Sequence, residues 1–240
     1  MTTQHERTQH DQTRRTPTLV SLARLREEAE ALLADAPEGT DLDEVSVALI
    51  RLAVNASVTT LDPDGIDREV RGALDAGATA AEVHETLVVV SGLGVHTLME
   101  GSRRVVAALR ERGEPAAEAP LDEQRLALRA QRVGDDPYWA DFDREVPGFL
   151  DALLRQSPEA YEAFFDYCAV PWRTGAVRGR VKELMSLAAD ATPTHRYLPG
   201  MRMHLANALR LGVGRVAIRH ALDIAAAAPS HPGVEAAVQE

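Results

Sequence analysis

The chain has 240 residues, 45% of them hydrophobic and 26% charged, which is enough for a sizeable core in one large domain or two small ones. A net charge of −11 forgoes the counterion-release energy of nucleic-acid binding and is repelled by anionic membrane surfaces, so neither is expected as a partner. One cysteine, Cys168, excludes an intrachain disulfide and CxxC chemistry, and the lack of an N-terminal apolar region or a bilayer-length apolar run leads to an expected cytoplasmic location.

Residues 1–17 are polar, without apolar period, and are expected to form a disordered tail. From Leu19 apolar residues return at helical spacing through Leu22, Leu25, Ala29, Leu32 and Leu33. A second helix carries Val47, Ile50 and Val54 on one face, with the acids of Asp41–Glu44 at its start. Asp62-Pro63-Asp64-Gly65 reads as a turn, followed by a helix through Ile66, Val70 and Leu74 that ends at Gly77. Thr79 and Glu82 have capping-box spacing and open a helix that Gly92 and Gly94 interrupt; another runs from Met99 to about Arg112.

The Pro- and Glu-rich stretch at 113–120 is the expected linker, with a helix after it from Leu121 to Val133. Ser157-Pro158 places an N-cap serine before a proline in the first turn, so a helix is expected from Glu159. Val181, Leu184, Leu187, Ala188 and Ala191 form a helical stripe, Pro193 and Pro199-Gly200 bracket a loop, and Met201–Leu211 and Val216–Ala228 complete the helices. No segment alternates long enough to demand a strand. The expected fold is all-α, with about twelve helices.

A shift of 135 positions aligns the halves without a gap: Leu49 with Leu184, Gly65 with Gly200, Ala73-Leu74 with Ala208-Leu209, Gly77 with Gly212 and His96 with His231. Two pseudo-symmetric units are therefore expected, at 18–112 and 137–240, joined by a linker and connecting helix at 113–136. Glu183 stands opposite Ala48, and His204 opposite Glu69, so only the second unit carries the acid and the histidine together.

The order Lys182-Glu183-Leu184, Thr194-His195-Arg196-Tyr197, Arg202-Met203-His204 and Ala208-Leu209-Arg210-Leu211-Gly212 resembles the carboxymuconolactone decarboxylase family, as does Ala73-Leu74-Asp75-Ala76-Gly77-Ala78-Thr79. The family also includes alkylhydroperoxidase-type proteins. The resemblance covers roughly residues 45–110 and 165–235 and implies the alkylhydroperoxidase-like helical fold and a homo-oligomer. The CxxC pair of the peroxidase branch is replaced by His195 and Leu198, which excludes a disulfide relay. The helix-opening acid Glu82 has Ala217 as its counterpart.

By this resemblance Glu183 and His204 are the catalytic pair. Their work is to supply a proton after CO2 leaves a small carboxylated lactone or unsaturated acid, in a lyase without a cofactor. His195 is a third catalytic candidate, in the loop where the redox branch has its first cysteine. Arg202, Tyr197 and Trp172 are candidates for binding the carboxylate substrate, Arg202 by bidentate pairing. Against these stand plainer roles: Glu183 pairing with Arg178 or Arg180, His204 filling a core gap, His195 solvated in its loop.

The repetition of His96 and His231 suggests structural roles, while His84 and His220 have no legible partner. No HxxxH or HxH spacing occurs, and no metal is expected. Two rival functions fit the same residues: a non-catalytic binding or assembly protein of this fold, and an isomerase or cyclase in a specialised pathway.

Overall fold

The computed structural model describes residues 19–234, so the expected tail at 1–17 lies outside the described residues. The chain forms α1 (Leu22–Leu33), α2 (Glu44–Ala56), α3 (Pro63–Asp75), α4 (Ala80–Ser91), α5 (His96–Glu111), α6 (Glu123–Arg132), α7 (Pro137–Glu145), α8 (Phe149–Gln156), α9 (Pro158–Cys168), α10 (Val170–Arg173), α11 (Gly179–Asp190), α12 (Leu198–Arg210) and α13 (Arg215–Ala226). The described residues contain no strand, and none of their helices is long and apolar enough to cross a membrane.

Side-chain caps account for six of the thirteen helix starts among the described residues. Ser21, Asp43, Asp122, Asp136 and Ser157 each accept a backbone N–H at an N-terminus, satisfying a donor that the helix cannot. Thr79 and Glu82 close a capping box on α4. Gly77 ends the α3 turn at φ +97°, a conformation that costs a side-chain-bearing residue more. The start of α13 has no side-chain cap. The carbonyls of Pro37 and Glu38 accept from Arg215 and Val216 instead, at 2.9 and 3.1 Å. Side chains at Gly39 and Gly214 would collide with each other's backbone there.

Pro199 and Gly200, expected to close a loop, lie in the first turn of α12, where a proline's missing N–H costs nothing. Gly92 and Gly94 sit in a short 3-10 turn that leads directly into α5.

α11 is the central helix. Every residue from Val181 to Asp190 is buried, as expected for a helix enclosed on all sides, here by α2, α4, α12 and α13. One apolar core joins residues of α1–α4 to residues of α11–α13. A second, built from α5, α7, α8 and α9, is aromatic: Phe142, Phe149, Tyr161, Phe164 and Phe165 are all buried in it. Every Phe, Tyr and Trp of the chain falls between Tyr138 and Tyr197, which gives this layer its wide, rigid side chains. The starts of α11, α12 and α13 each follow those of α2, α3 and α4 by 135 positions.

Candidate functional site

A cavity of about 390 Å³ opens between the two layers, with α4, α7, α9, α11 and α12 contributing its walls. Its floor is polar. Glu183 comes from the second turn of the enclosed helix α11 and is only 6% exposed, while His204 and Asn207 lie one turn apart on α12. All three line the cavity.

His204 Nδ1 stands 2.7 Å from Glu183 Oε2. Asn207 Nδ2 donates toward both carboxylate oxygens at 3.3 and 3.4 Å, and its own Oδ1 accepts from Arg210 at 2.7 Å, which fixes the amide's orientation. Burial pulls the His204 pKa down, but the hydrogen bond and charge of Glu183, with Asp190 behind it, outweigh burial and leave it raised. Glu183 thus pairs with His204, while Arg178 pairs with Asp43 at 2.8 Å. With Nδ1 engaged by the carboxylate, Nε2 is the ring atom left to exchange a proton with a ligand.

The other candidates fall differently. Trp172 lines the cavity, 46% exposed at its rim. Arg202 does not line it; its guanidinium is held by Glu28 at 3.2 Å and Glu145 at 3.1 Å, so both its charge and its reach are taken. Tyr197 lies under the floor, its ring 4.0 Å from that of His96 and its hydroxyl donating to Glu100 at 3.3 Å. His195 is likewise no wall residue and does not join Glu183. Its Nε2 lies 2.8 Å from His96 Nδ1 and 3.5 Å from Asp190 Oδ1.

Among the other histidines, His231 closes a turn by accepting from Gly233 N, and His220 pairs with Asp41 at 2.7 Å. Cys168 is in the wall, and burial pushes its pKa up to about 11, so it remains a thiol at neutral pH.

Three participants have little or no advance signal. Asn207 could be found as the residue one turn after His204. Asp190 could be noticed as an acid closing an apolar stripe. His96 gives no such cue: it reaches the site from α5, 99 positions before His195, and burial lowers its pKa to about 4.

Behind the Trp172 side of the cavity is a buried ion pair. Lys182, 2% exposed, donates to Glu85 at 2.9 Å, to the Thr174 carbonyl at 3.0 Å and to the Pro171 carbonyl, and lies 5.9 Å from the Trp172 ring centre. Glu85 also accepts from the Thr174 hydroxyl and the Val177 amide. The pair pins the segment that carries Trp172. No Lys or Arg among the described residues lines the cavity itself, whose ionisable lining includes Glu183, Asp190, His96 and His204.

A second hollow of about 360 Å³ lies at the shifted position: Arg51, Asn55, Glu69, Asp223 and Ala227 line it. Ser186, Asp190, His204, Val88 and Gly92 line the first at positions 135 away.

A helical frame, without strands among the described residues, that sets a paired Glu and His in a cavity is suited to acid–base chemistry. Residues 158–240 match the model of the carboxymuconolactone decarboxylase family. The chain is also similar to a crystal structure from Burkholderia xenovorans LB400, provisionally named as a gamma-carboxymuconolactone decarboxylase subunit. Identity is 32%, covering 85% of this chain and 90% of that one, with a TM-score of 0.66. The chain matches no curated protein. It belongs to the carboxymuconolactone decarboxylase family.

Proposed function

We propose that the chain is a lyase that decarboxylates a small carboxylated lactone or unsaturated acid, with Glu183 and His204 as the proton-transfer pair. The observation that carries this reading is the 2.7 Å contact between the two side chains at the floor of one cavity. In an unsaturated lactone, the bond from the ring to the carboxylate breaks and CO2 leaves. The electron pair passes through the ring double bond to the lactone carbonyl, giving a dienolate. His204, whose protonated form the Glu183 hydrogen bond favours, then gives its proton to the dienolate carbon next to that carbonyl, and solvent restores it. Asn207 positions the carboxylate. Trp172 and the apolar wall cover the ring of the substrate and exclude water.

Two matching units, the first without the acid–histidine pair, complete the reading. Support comes from the equal shift of three helix starts and from the two hollows built at shifted positions. A homo-oligomer is part of the same proposal.

The test is CO2 release and ultraviolet change with γ-carboxymuconolactone, in wild type and His204→Ala. Turnover that collapses in the variant supports the reading; a well-folded wild type that leaves this lactone untouched rejects it as substrate. One observation favours a second reading. A mostly apolar, aromatic wall with no Lys or Arg suits a less charged substrate, on which the same pair would act as an isomerase or cyclase without losing CO2.

A further inference from the structure

Asp190 is the one carboxylate among the described residues with both oxygens buried and unpartnered. It is fully buried, and neither of its carboxylate oxygens has a hydrogen-bond partner among the described residues. A buried carboxylate left this way is strongly destabilising, so in a stable fold something must answer it. The groups nearest to answering it are two imidazoles. His96 Nδ1 lies 3.7 Å and His195 Nε2 3.5 Å from Asp190 Oδ1, and the two nitrogens are 2.8 Å apart. A hydrogen bond between the histidines satisfies them but leaves Asp190 unpaired.

One occupant satisfies all three. Points equidistant from the three atoms begin about 2.0 Å from each, in their plane, so an ion slightly out of that plane meets all three at the distance of zinc from imidazole nitrogen and carboxylate oxygen, about 2.0–2.2 Å. A tetrahedral ion at that distance sets its ligands about 3.3 Å apart, and the three separations here bracket that value at 2.8, 3.5 and 3.7 Å. We propose that His96, Asp190 and His195 bind a divalent transition cation of the zinc class, with its fourth position open to the cavity.

The surroundings are built to match. His96 and Asp190 line the cavity, while the Tyr197 ring stacks on His96 and holds its plane. Gly200 faces the carboxylate where any side chain would strike it. The expectation that no metal binds came from linear spacing. The ligands here come from two stretches of chain, His96 on α5 and Asp190 with His195 at the junction of α11 and α12, so no HxxxH or HxH motif could announce them. The ion would also supply the positive charge that the lining lacks. In this role, which rests on the lyase reading above, it would polarise the lactone carbonyl and stabilise the dienolate oxygen beside the His204 proton donor.

The test uses the untagged full chain, freed of metal by a chelator and titrated with cobalt(II), read by visible absorption and by calorimetry. One cobalt per chain is expected, with a ligand-field spectrum that zinc abolishes on stoichiometric addition. Asp190→Asn, His96→Gln and His195→Gln should each weaken binding more than about 100-fold, beyond the 10–100-fold usual for losing a second-shell partner. His84→Gln, on an exposed part of α4, should bind as wild type does. Circular dichroism identifies any variant that fails to fold, and the remaining ligand variants then decide.

The absence of a cobalt spectrum and of binding heat overturns the proposal, as does binding that survives in well-folded ligand variants. Cobalt binding without any turnover of γ-carboxymuconolactone supports the metal site while rejecting that lactone as substrate. Full turnover by a chain that binds no metal does the reverse.

Discussion

Lys182→Met is the sharpest test of what holds the cavity wall. The ammonium of Lys182 answers Glu85 and two carbonyls, those of Pro171 and Thr174, in a region where both side chains are at most 5% exposed. Methionine keeps most of the volume, so the cavity penalty is small. What remains is Glu85 buried without its counter-ion, supported only by the Thr174 hydroxyl and the Val177 amide. Removing one partner of a buried pair costs about 3–5 kcal/mol, a large part of the 5–15 kcal/mol that ordinarily keeps a domain folded. With a urea slope of about 3 kcal/mol/M, the midpoint should fall by about 1 M or more. The double variant Lys182→Met/Glu85→Leu removes both charges and should regain most of the loss. A single variant within about 1 kcal/mol of wild type, or a double variant no better than the single, would refute this account.

The raised pKa of His204 makes a signed prediction about stability. The contribution of its protonated form is complete below the unfolded value of about 6.5 and is lost as pH rises through the higher folded value. The difference in urea midpoint between wild type and His204→Gln should therefore shrink as pH is raised from about 6 to 9; a difference that grows contradicts it. Gly200→Ala forces a methyl against the Asp190 carboxylate and the Tyr197 ring. It should destabilise by about 1–3 kcal/mol by urea denaturation, and a neutral result would mean that Asp190 is free to move aside.

Much of this molecule is written locally. The Ser157-Pro158 start of α9, the Thr79 and Glu82 box and the glycine after α3 can be read from neighbouring residues, because capping and positive φ are short-range demands. The pairing of Glu183 with His204 was also legible, through the order of motifs along the chain. Arg202 is the opposite case: near His204 in sequence, it lies on a part of α12 that meets Glu28 and Glu145. Pro199-Gly200 reads as a loop until α12 is seen to begin at Leu198 and make the proline a first-turn residue. His96 and the buried pair of Glu85 with Lys182 could not be foreseen. Their partners lie 97 to 99 positions away and meet only when the helical layers pack.

The central claim is that Glu183 and His204 act as one proton-transfer unit. The most direct measurement is a double-variant cycle of the rate of CO2 release from γ-carboxymuconolactone, using Glu183→Gln, His204→Gln and both together. The account predicts that each single variant loses about 10²–10⁴-fold, and that the double variant is no slower than the worse single, because groups working as a unit are not additive. Losses that multiply, or a His204→Gln enzyme that keeps the wild-type rate, would contradict it.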